Sequence, residues 1–208
     1  LREPRRKTRY KRPFDLAVLA AAHLLPPLLP VWLLLWTVIP LAIWLEDRGP
    51  VFFRQRRVGK TGHEFAFLKF RTMAPGAEEA GLVTADRDPR VTRVGRFLRR
   101  TALDELPQTV NILRGDMSFV GPRALPTEMH KDATREEPRF PERLQVVPGL
   151  TGISQLYLPR HCPPRRRLGY DLVYIRKASL WLDIRLMLLA AWTTLTGRWG
   201  VGHRRQAE

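Results

Sequence analysis

Residues 16–45 restrict this chain more than any other stretch, because His23 and Thr37 are the only strongly polar side chains among Leu, Ala, Val, Ile, Trp and Pro. The run is too long for a secretory signal core of ~7–15 apolar residues, and no small-residue cleavage site ends it. It suits a bilayer. As one straight helix it would measure about 45 Å, against a hydrocarbon core of about 30 Å. Pro26, Pro27 and Pro30 stand near its middle. Each removes a backbone donor and crowds the preceding turn, which predicts a sharp helix break at Pro26 and Pro27. Arg9, Lys11 and Arg12 precede the run, and Arg48, Arg54, Arg56, Arg57 and Lys60 follow it. By the positive-inside rule both ends face the cytoplasm. Length, break and charge together predict a re-entrant helical hairpin over residues 13–46 that enters and leaves by one leaflet; a tilted straight span satisfies only the length. Asp15 at the boundary needs a cation, and Lys11 or Arg12 one turn earlier is the expected partner.

Around this hairpin the chain is strongly basic. Its 208 residues hold 36 Lys and Arg against 20 Asp and Glu, a formal charge of +16. Such a balance calls for anionic partners: nucleic acid, acidic lipid or a phosphorylated substrate. Residues 1–12 form a basic N-terminal segment and 199–208 a basic tail, leaving 47–198 as a domain large enough to bury a core. The lone cysteine, Cys162, excludes an intramolecular disulfide and a cysteine-rich zinc site, and fits a reducing compartment. Its neighbour His161 reads as a loop detail, since adjacent side chains rarely converge on one atom.

The domain reads as α/β, mostly α. Residues 51–58 and 64–73 have strand composition around a turn at 59–62, a β-hairpin. Gly59-Lys60-Thr61 is not a P-loop, because that motif needs glycine where Arg54 stands. Residues 75–89 read as an exposed loop, 118–120 as a short extended segment and 128–143 as a polar surface helix. Pro148-Gly149-Leu150-Thr151-Gly152 reads either as a glycine-hinged loop that brings backbone donors to a ligand or as an ordinary turn. Arg165, Arg166 and Arg167 suit phosphates, head groups or a solvated face. Residues 179–195, with Trp181 and Trp192, predict an interfacial helix.

The chemistry-bearing stretch is 96–123. Asp104 and Glu105 lie side by side, followed by Leu106 and Pro107, with Arg96, Arg99, Arg100 and Arg123 nearby. Leu103, Leu106, Val110 and Leu113 recur at helical spacing until Gly115 stops the pattern. A short helix thus starts near the pair, with Asp104 as its N-cap and Pro107 in the first turn. Two readings follow. In one, Asp104 caps and Glu105 complements the helix dipole. In the other, helix terminus and arginines bind a phosphate that one carboxylate attacks while the other positions a metal or moves a proton.

Several motifs occur in a fixed order: Lys11-Arg12-Pro13-Phe14-Asp15, the broken apolar helix, Lys69-Phe70-Arg71-Thr72-Met73, Leu103-Asp104-Glu105-Leu106-Pro107-Gln108, Gly115-Asp116-Met117-Ser118, Gly121-Pro122-Arg123 and Pro148-Gly149-Leu150-Thr151-Gly152. Together they resemble the bacterial sugar transferase family, the monotopic phosphoglycosyl transferases. The resemblance implies transfer of a sugar 1-phosphate from a nucleotide diphosphate sugar, usually a UDP-sugar, to polyprenyl phosphate with Mg²⁺, starting polysaccharide or glycoconjugate assembly. It implies Asp104 as the nucleophile, expelling UMP, and Glu105 as metal or proton partner, with both carboxylates at the metal. Lys69, Arg71, Arg99 and Arg123 become phosphate-side candidates, and Gly149, Thr151, Gly152 and Gln155 a substrate-side loop. Asp171 and Asp183 fall in matching C-terminal motifs, for structural pairing or a direct role. The place implied is the cytoplasmic face of a bacterial inner membrane, with anionic lipids as further partners and a second copy of the chain left open. Three departures stand out. Pro26 replaces the usual serine before the breaking proline, Ala124 follows Gly-Pro-Arg, and Ile153-Ser154-Gln155 replaces Trp-Ala-Gln, so donor identity does not transfer.

Two rival classes share the positive charge. A nucleic-acid binder is not expected, because no recognition helix of basic and amide residues follows Pro107. A membrane-surface scaffold would use the dyad only as a cap, and donor turnover would exclude it.

Overall fold

The computed structural model describes residues 8–77, 81, 88–159 and 161–196. Residues 1–7 of the basic segment, most of the 75–89 loop and the 199–208 tail lie outside the described residues. The apolar run forms two helices, α1 (Lys11–Leu24) and α2 (Leu29–Asp47). Leu25 between them is extended, with ψ 123°, as a residue before proline tends to be. His23 and Trp32 stack with ring centroids 4.1 Å apart. Nine residues of straight helix would separate them by about 13 Å, so the chain bends sharply at Pro26 and Pro27, the predicted break. By length and composition α2 can cross a membrane.

Both arms root in one hairpin. β1 (Phe52–Val58) and β2 (Glu64–Phe70) pair antiparallel from Phe52↔Phe70 to Val58↔Glu64, closing through Lys60–Gly62 with Gly62 at φ 85°. Leu19 of α1 packs with Phe65 and Phe67, while Ile39 and Ile43 of α2 pack with Phe70 and Leu98. Beyond these roots Leu24, Leu29, Leu33 and Leu34 are exposed. So large a bare apolar surface marks an interaction site.

The remaining elements are α3 (Arg93–Thr101), α4 (Gln108–Arg114), β3 (Ser118–Val120), α5 (Thr127–Glu136), β4 (Gly149–Thr151), α6 (Ile153–Tyr157), α7 (Pro164–Lys177) and α8 (Leu180–Thr196). The expected 128–143 helix ends at Glu136, because Pro138 biases Glu137 out of helical geometry, and a 3-10 turn over Phe140–Gln145 follows. The glycine-hinged segment at 148–152 is a strand at its centre, since β4 pairs parallel with β3 through Ser118↔Gly149 and Val120↔Thr151. Glycine permits that approach: a Cβ on Gly149 would sit 1.9 Å from the Gly121 nitrogen. Val120, Val146, Leu156, Tyr174, Ile175 and Leu186 form a core beneath α7 and α8. Trp181, Leu188, Trp192 and Leu195 of α8 stay exposed.

The α1 motif ties the hairpin to three parts of this domain. Lys11 Nζ donates to Asp183 at 2.7 Å and to Tyr174 at 2.8 Å, and Tyr10 also donates to Asp183. Burial, then the Asp183 charge, push the Tyr10 and Tyr174 hydroxyls far above their ordinary range, so they remain donors. Arg12 donates to the carbonyls of Ile112 and Leu113 at the α4 C-terminus, 2.6 Å each. Asp15 does not hydrogen-bond the expected Lys11 or Arg12; it accepts from Ser118 Oγ at 3.0 Å and the Phe119 amide at 3.2 Å. Both cations reach across the fold instead, Lys11 to a buried carboxylate on α8 and Arg12 to carbonyls at the end of α4. Asp171 likewise pairs with Arg143 at 2.7 Å and Ser154 at 2.8 Å. Asp171 and Asp183 therefore both sit in buried ion pairs, the structural pairing that was one of the two expectations.

Candidate active site

The dyad sits where α3 hands over to α4. Thr92 caps α3 by accepting from the Gly95 amide at 2.9 Å, and Glu46 at the end of α2 accepts from the Arg93 amide at 2.6 Å. Gly95 lets α3 lie against the hairpin's exit, where a Cβ would meet the Thr72 carbonyl at 2.1 Å. The helix closes at Ala102, left-handed at φ 56°, and a 3-10 turn over Leu103–Glu105 presents the carboxylates. α4 is then pinned to β2 by Asn111, which accepts from the Leu68 amide at 3.0 Å and donates to the Ala66 carbonyl at 2.8 Å. β2 carries Lys69.

Asp104 is not the N-cap of α4. Pro107 occupies that position with no side-chain cap, because the 3-10 turn intervenes. Instead Lys69 Nζ bridges the dyad, 3.2 Å from Asp104 Oδ2 and 3.0 Å from Glu105 Oε1. The other oxygen of each carboxylate accepts no hydrogen bond among the described residues. Asp104 is buried; the Glu105 side chain is 25% exposed. Burial raises Asp104 above the usual carboxylate range, with Glu105 adding to the shift and Lys69 and Arg99 opposing it. Burial would raise Glu105 too, but Lys69, Arg123 and Arg57 outweigh it and hold that carboxyl low. One member of the pair is thus the more basic and the other stays ionised.

The remaining expected site residues separate into groups. Arg99 donates to Thr72 Oγ1 at 2.8 Å and acts on Asp104, while Arg123 acts on Glu105. Arg71 is engaged elsewhere: its guanidinium forms a bidentate pair with Asp47 at 2.6 and 2.5 Å and also reaches the Pro50 and Met73 carbonyls, fastening the hairpin to the end of α2. Gly149, Thr151, Gly152 and Gln155 gather around the backbone that carries Arg123. The Gly121 amide donates to the Thr151 carbonyl at 2.8 Å, the Gly149 amide to Pro122 at 3.0 Å, and Gln155 to Gly121 at 3.3 Å. A Cβ on Gly152 would meet the Gly121 carbonyl at 2.3 Å. Sequence reasoning missed Asn111 and Arg57. The signal for Arg57 was strand alternation, which places it on the same hairpin face as Lys69.

Adjacent carboxylates under shared cations thus lie in a domain that also carries a helix-break-helix of bare apolar surface. Residues 6–197 match the bacterial sugar transferase family, and the chain belongs to it. The UDP-glucose:undecaprenyl-phosphate glucose-1-phosphate transferase of Caulobacter vibrioides is 42% identical over 192 residues, covering 89% of this chain and 70% of its own length. A protein of the same description from Xanthomonas campestris pv. campestris is 40% identical over 85% of this chain, which spans 36% of the relative. The UDP-N-acetylgalactosamine-undecaprenyl-phosphate N-acetylgalactosaminephosphotransferase of Aeromonas hydrophila is also 40% identical, over 90% of this chain and 44% of its own length. The chain therefore spans less than half the length of the last two. Equal identity to relatives described with different sugars leaves donor choice outside what overall similarity decides.

Proposed function

We propose that this chain transfers a sugar 1-phosphate from a UDP-sugar to polyprenyl phosphate through a covalent aspartyl phosphosugar. The observation that carries the reading is Lys69 bridging two carboxylates of opposite pKa shift, one of them a buried, more basic Asp104. Lys69, Arg99 and Arg123 draw in the diphosphate. An oxygen of Asp104 attacks the phosphorus nearest the sugar, the bond from that phosphorus to the bridging oxygen breaks, and UMP leaves with the electron pair. An oxygen of polyprenyl phosphate then attacks the same phosphorus and releases the carboxylate. Splitting the transfer into two displacements lowers each barrier.

Two adjacent carboxylates offer hard oxygens, and Mg²⁺ commonly binds through one or two carboxylates plus substrate phosphates. Among the described residues no group of three or more His, Cys, Asp or Glu forms a self-sufficient metal cage. The dyad fits such a substrate-completed site, so Asp104 and Glu105 would hold Mg²⁺. Bound there, it would neutralise phosphate charge. A panel of UDP-sugars with undecaprenyl phosphate, read out as UMP, tests the function. Turnover with at least one donor is expected, and silence with every donor would retire the reading.

The same proposal places 13–46 in one leaflet, supported by both arms rooting in one hairpin. In a Cys162→Ser background, Thr8→Cys and Lys60→Cys should both label only from the cytoplasmic side. Labelling from opposite sides means a true span. For Arg123, replacement by lysine should cost about tenfold or more in activity, because a planar fork becomes a point charge. Unchanged activity in Arg123→Lys returns that residue to a structural role.

A further inference from the structure

Arg57 is a buried cation that the proposed chemistry has not used. It lies on β1 opposite Phe65, and Gln55 lies opposite Phe67. With a side-chain period of two, Gln55, Arg57, Phe65, Phe67 and Lys69 share one hairpin face. That face meets the dyad, because Lys69 bonds both carboxylates from it. The Arg57 guanidinium stacks over the Phe67 ring at 3.5 Å, and Lys69 Nζ lies 5.8 Å from the same ring centroid. One aromatic ring therefore carries both cations.

The partners of Arg57 are all neutral. Nε and Nη2 donate to Gln55 Oε1 at 3.1 Å each, and Nη1 donates to the Ala124 carbonyl at 3.1 Å. A guanidinium has five N–H groups, so some donor capacity is unspent. No ion pair to a carboxylate forms among the described residues, although only 8% of Arg57 is exposed. Burying a cation without a directly paired anion is costly, and the nearest charges make it worse as well as better: Arg123 repels Arg57 while Glu105 attracts it. Burial, then Arg123, bring its pKa down to about 9, so it is still charged at neutral pH. Two arginines held beside one carboxylate that Lys69 already engages describe a site awaiting an anion.

We propose that Arg57, with Arg123, binds the phosphate that leaves with the nucleoside, the UMP side of the donor diphosphate. This rests on the functional reading above. Asp104 must face the phosphorus nearest the sugar, and Lys69 and Arg99 bear on Asp104. Glu105, the next residue along, shares Lys69 at 3.0 Å, but Arg57 and Arg123 bear on it where Arg99 bears on Asp104. A diphosphate laid across the dyad thus meets Lys69 at its middle, Arg99 on the Asp104 side, and Arg57 with Arg123 on the Glu105 side. Charge growing on the departing UMP phosphate is stabilised by donors fixed in advance, here by Phe67, Gln55 and Ala124.

The test measures UMP product inhibition, donor KM and acceptor KM in wild type, Arg57→Lys and Arg57→Gln, with thermal melts to verify folding. In Arg57→Gln the UMP inhibition constant and donor KM should rise by about tenfold or more, with kcat reduced and acceptor KM unchanged. Arg57→Lys should recover only part of the loss. Unchanged UMP inhibition and donor KM in either folded variant overturns the proposal. Failure of both variants to fold makes Arg57 a structural cation and also overturns it. Absence of UMP release by wild type with any donor is a separate outcome: it removes the functional reading itself and this proposal with it.

Discussion

Asp104→Asn should fold and bind membranes as the wild type does, yet release UMP about a thousandfold more slowly or not at all. An amide has no oxygen able to attack phosphorus and form the acyl phosphate. Loss of a helix cap cannot explain the effect, because Asp104 makes no cap bond and Pro107 holds that position. Instability should not explain it either. The Asp104 pKa is raised by burial, so between the unfolded carboxyl's pKa and the raised folded value the native state binds the extra proton. Its favourable contribution is therefore present at low pH and lost as pH rises through that window. At neutral pH burial of this carboxyl costs stability, and asparagine removes that cost while Glu105 keeps Lys69 paired. The variant should melt at or above the wild type at pH 7, with the difference shrinking under acid. Turnover near the wild-type rate would return the dyad to a structural role.

Lys11→Met should destabilise the protein by about 3–5 kcal/mol, the usual result of leaving a buried charge without its partner. Asp183 is 0% exposed and receives Lys11, Tyr10 and Tyr174. Removing the ammonium leaves two neutral phenols to solvate a carboxylate in the core. Lys11→Met combined with Asp183→Asn should recover much of that loss, because no buried charge then remains. Denaturant or thermal melts in detergent of the two single variants and the double close the cycle. A Lys11→Met cost below about 1 kcal/mol would place Lys11 with ordinary surface pairs. The consequence for function is mechanical: the same helix end holds the α4 carbonyls through Arg12 and β3 through Asp15, so α1 fixes the elements that flank the dyad.

Local patterns were legible in the sequence and long-range pairings were not. Consecutive prolines announced the break between α1 and α2, and Gly115, at φ 90°, ended α4 where a left-handed residue was expected. The β-hairpin followed from composition and its turn. Asp15 misled because a cation one turn away is the nearest candidate in sequence, whereas its partners are 103 and 104 residues distant. The expected cap at Asp104 failed because helical spacing cannot separate a 3-10 turn from the first turn of an α-helix. Pro148 to Gly152 read as a glycine-hinged loop or an ordinary turn because two glycines in five residues suggest flexibility; at Gly149 glycine serves the close approach of a parallel strand. Arg57 was hidden among five basic residues that the positive-inside rule already explained.

Intact and peptide mass spectrometry of the purified protein, incubated with its UDP-sugar and Mg²⁺ but no lipid acceptor, tests the central claim most directly. One equivalent of UMP should appear in a burst, with the mass of one phosphosugar gained on the peptide bearing Asp104, and polyprenyl phosphate should discharge it. UMP formed only when the acceptor is present, with no mass gained at Asp104, would mean direct transfer and contradict the covalent mechanism.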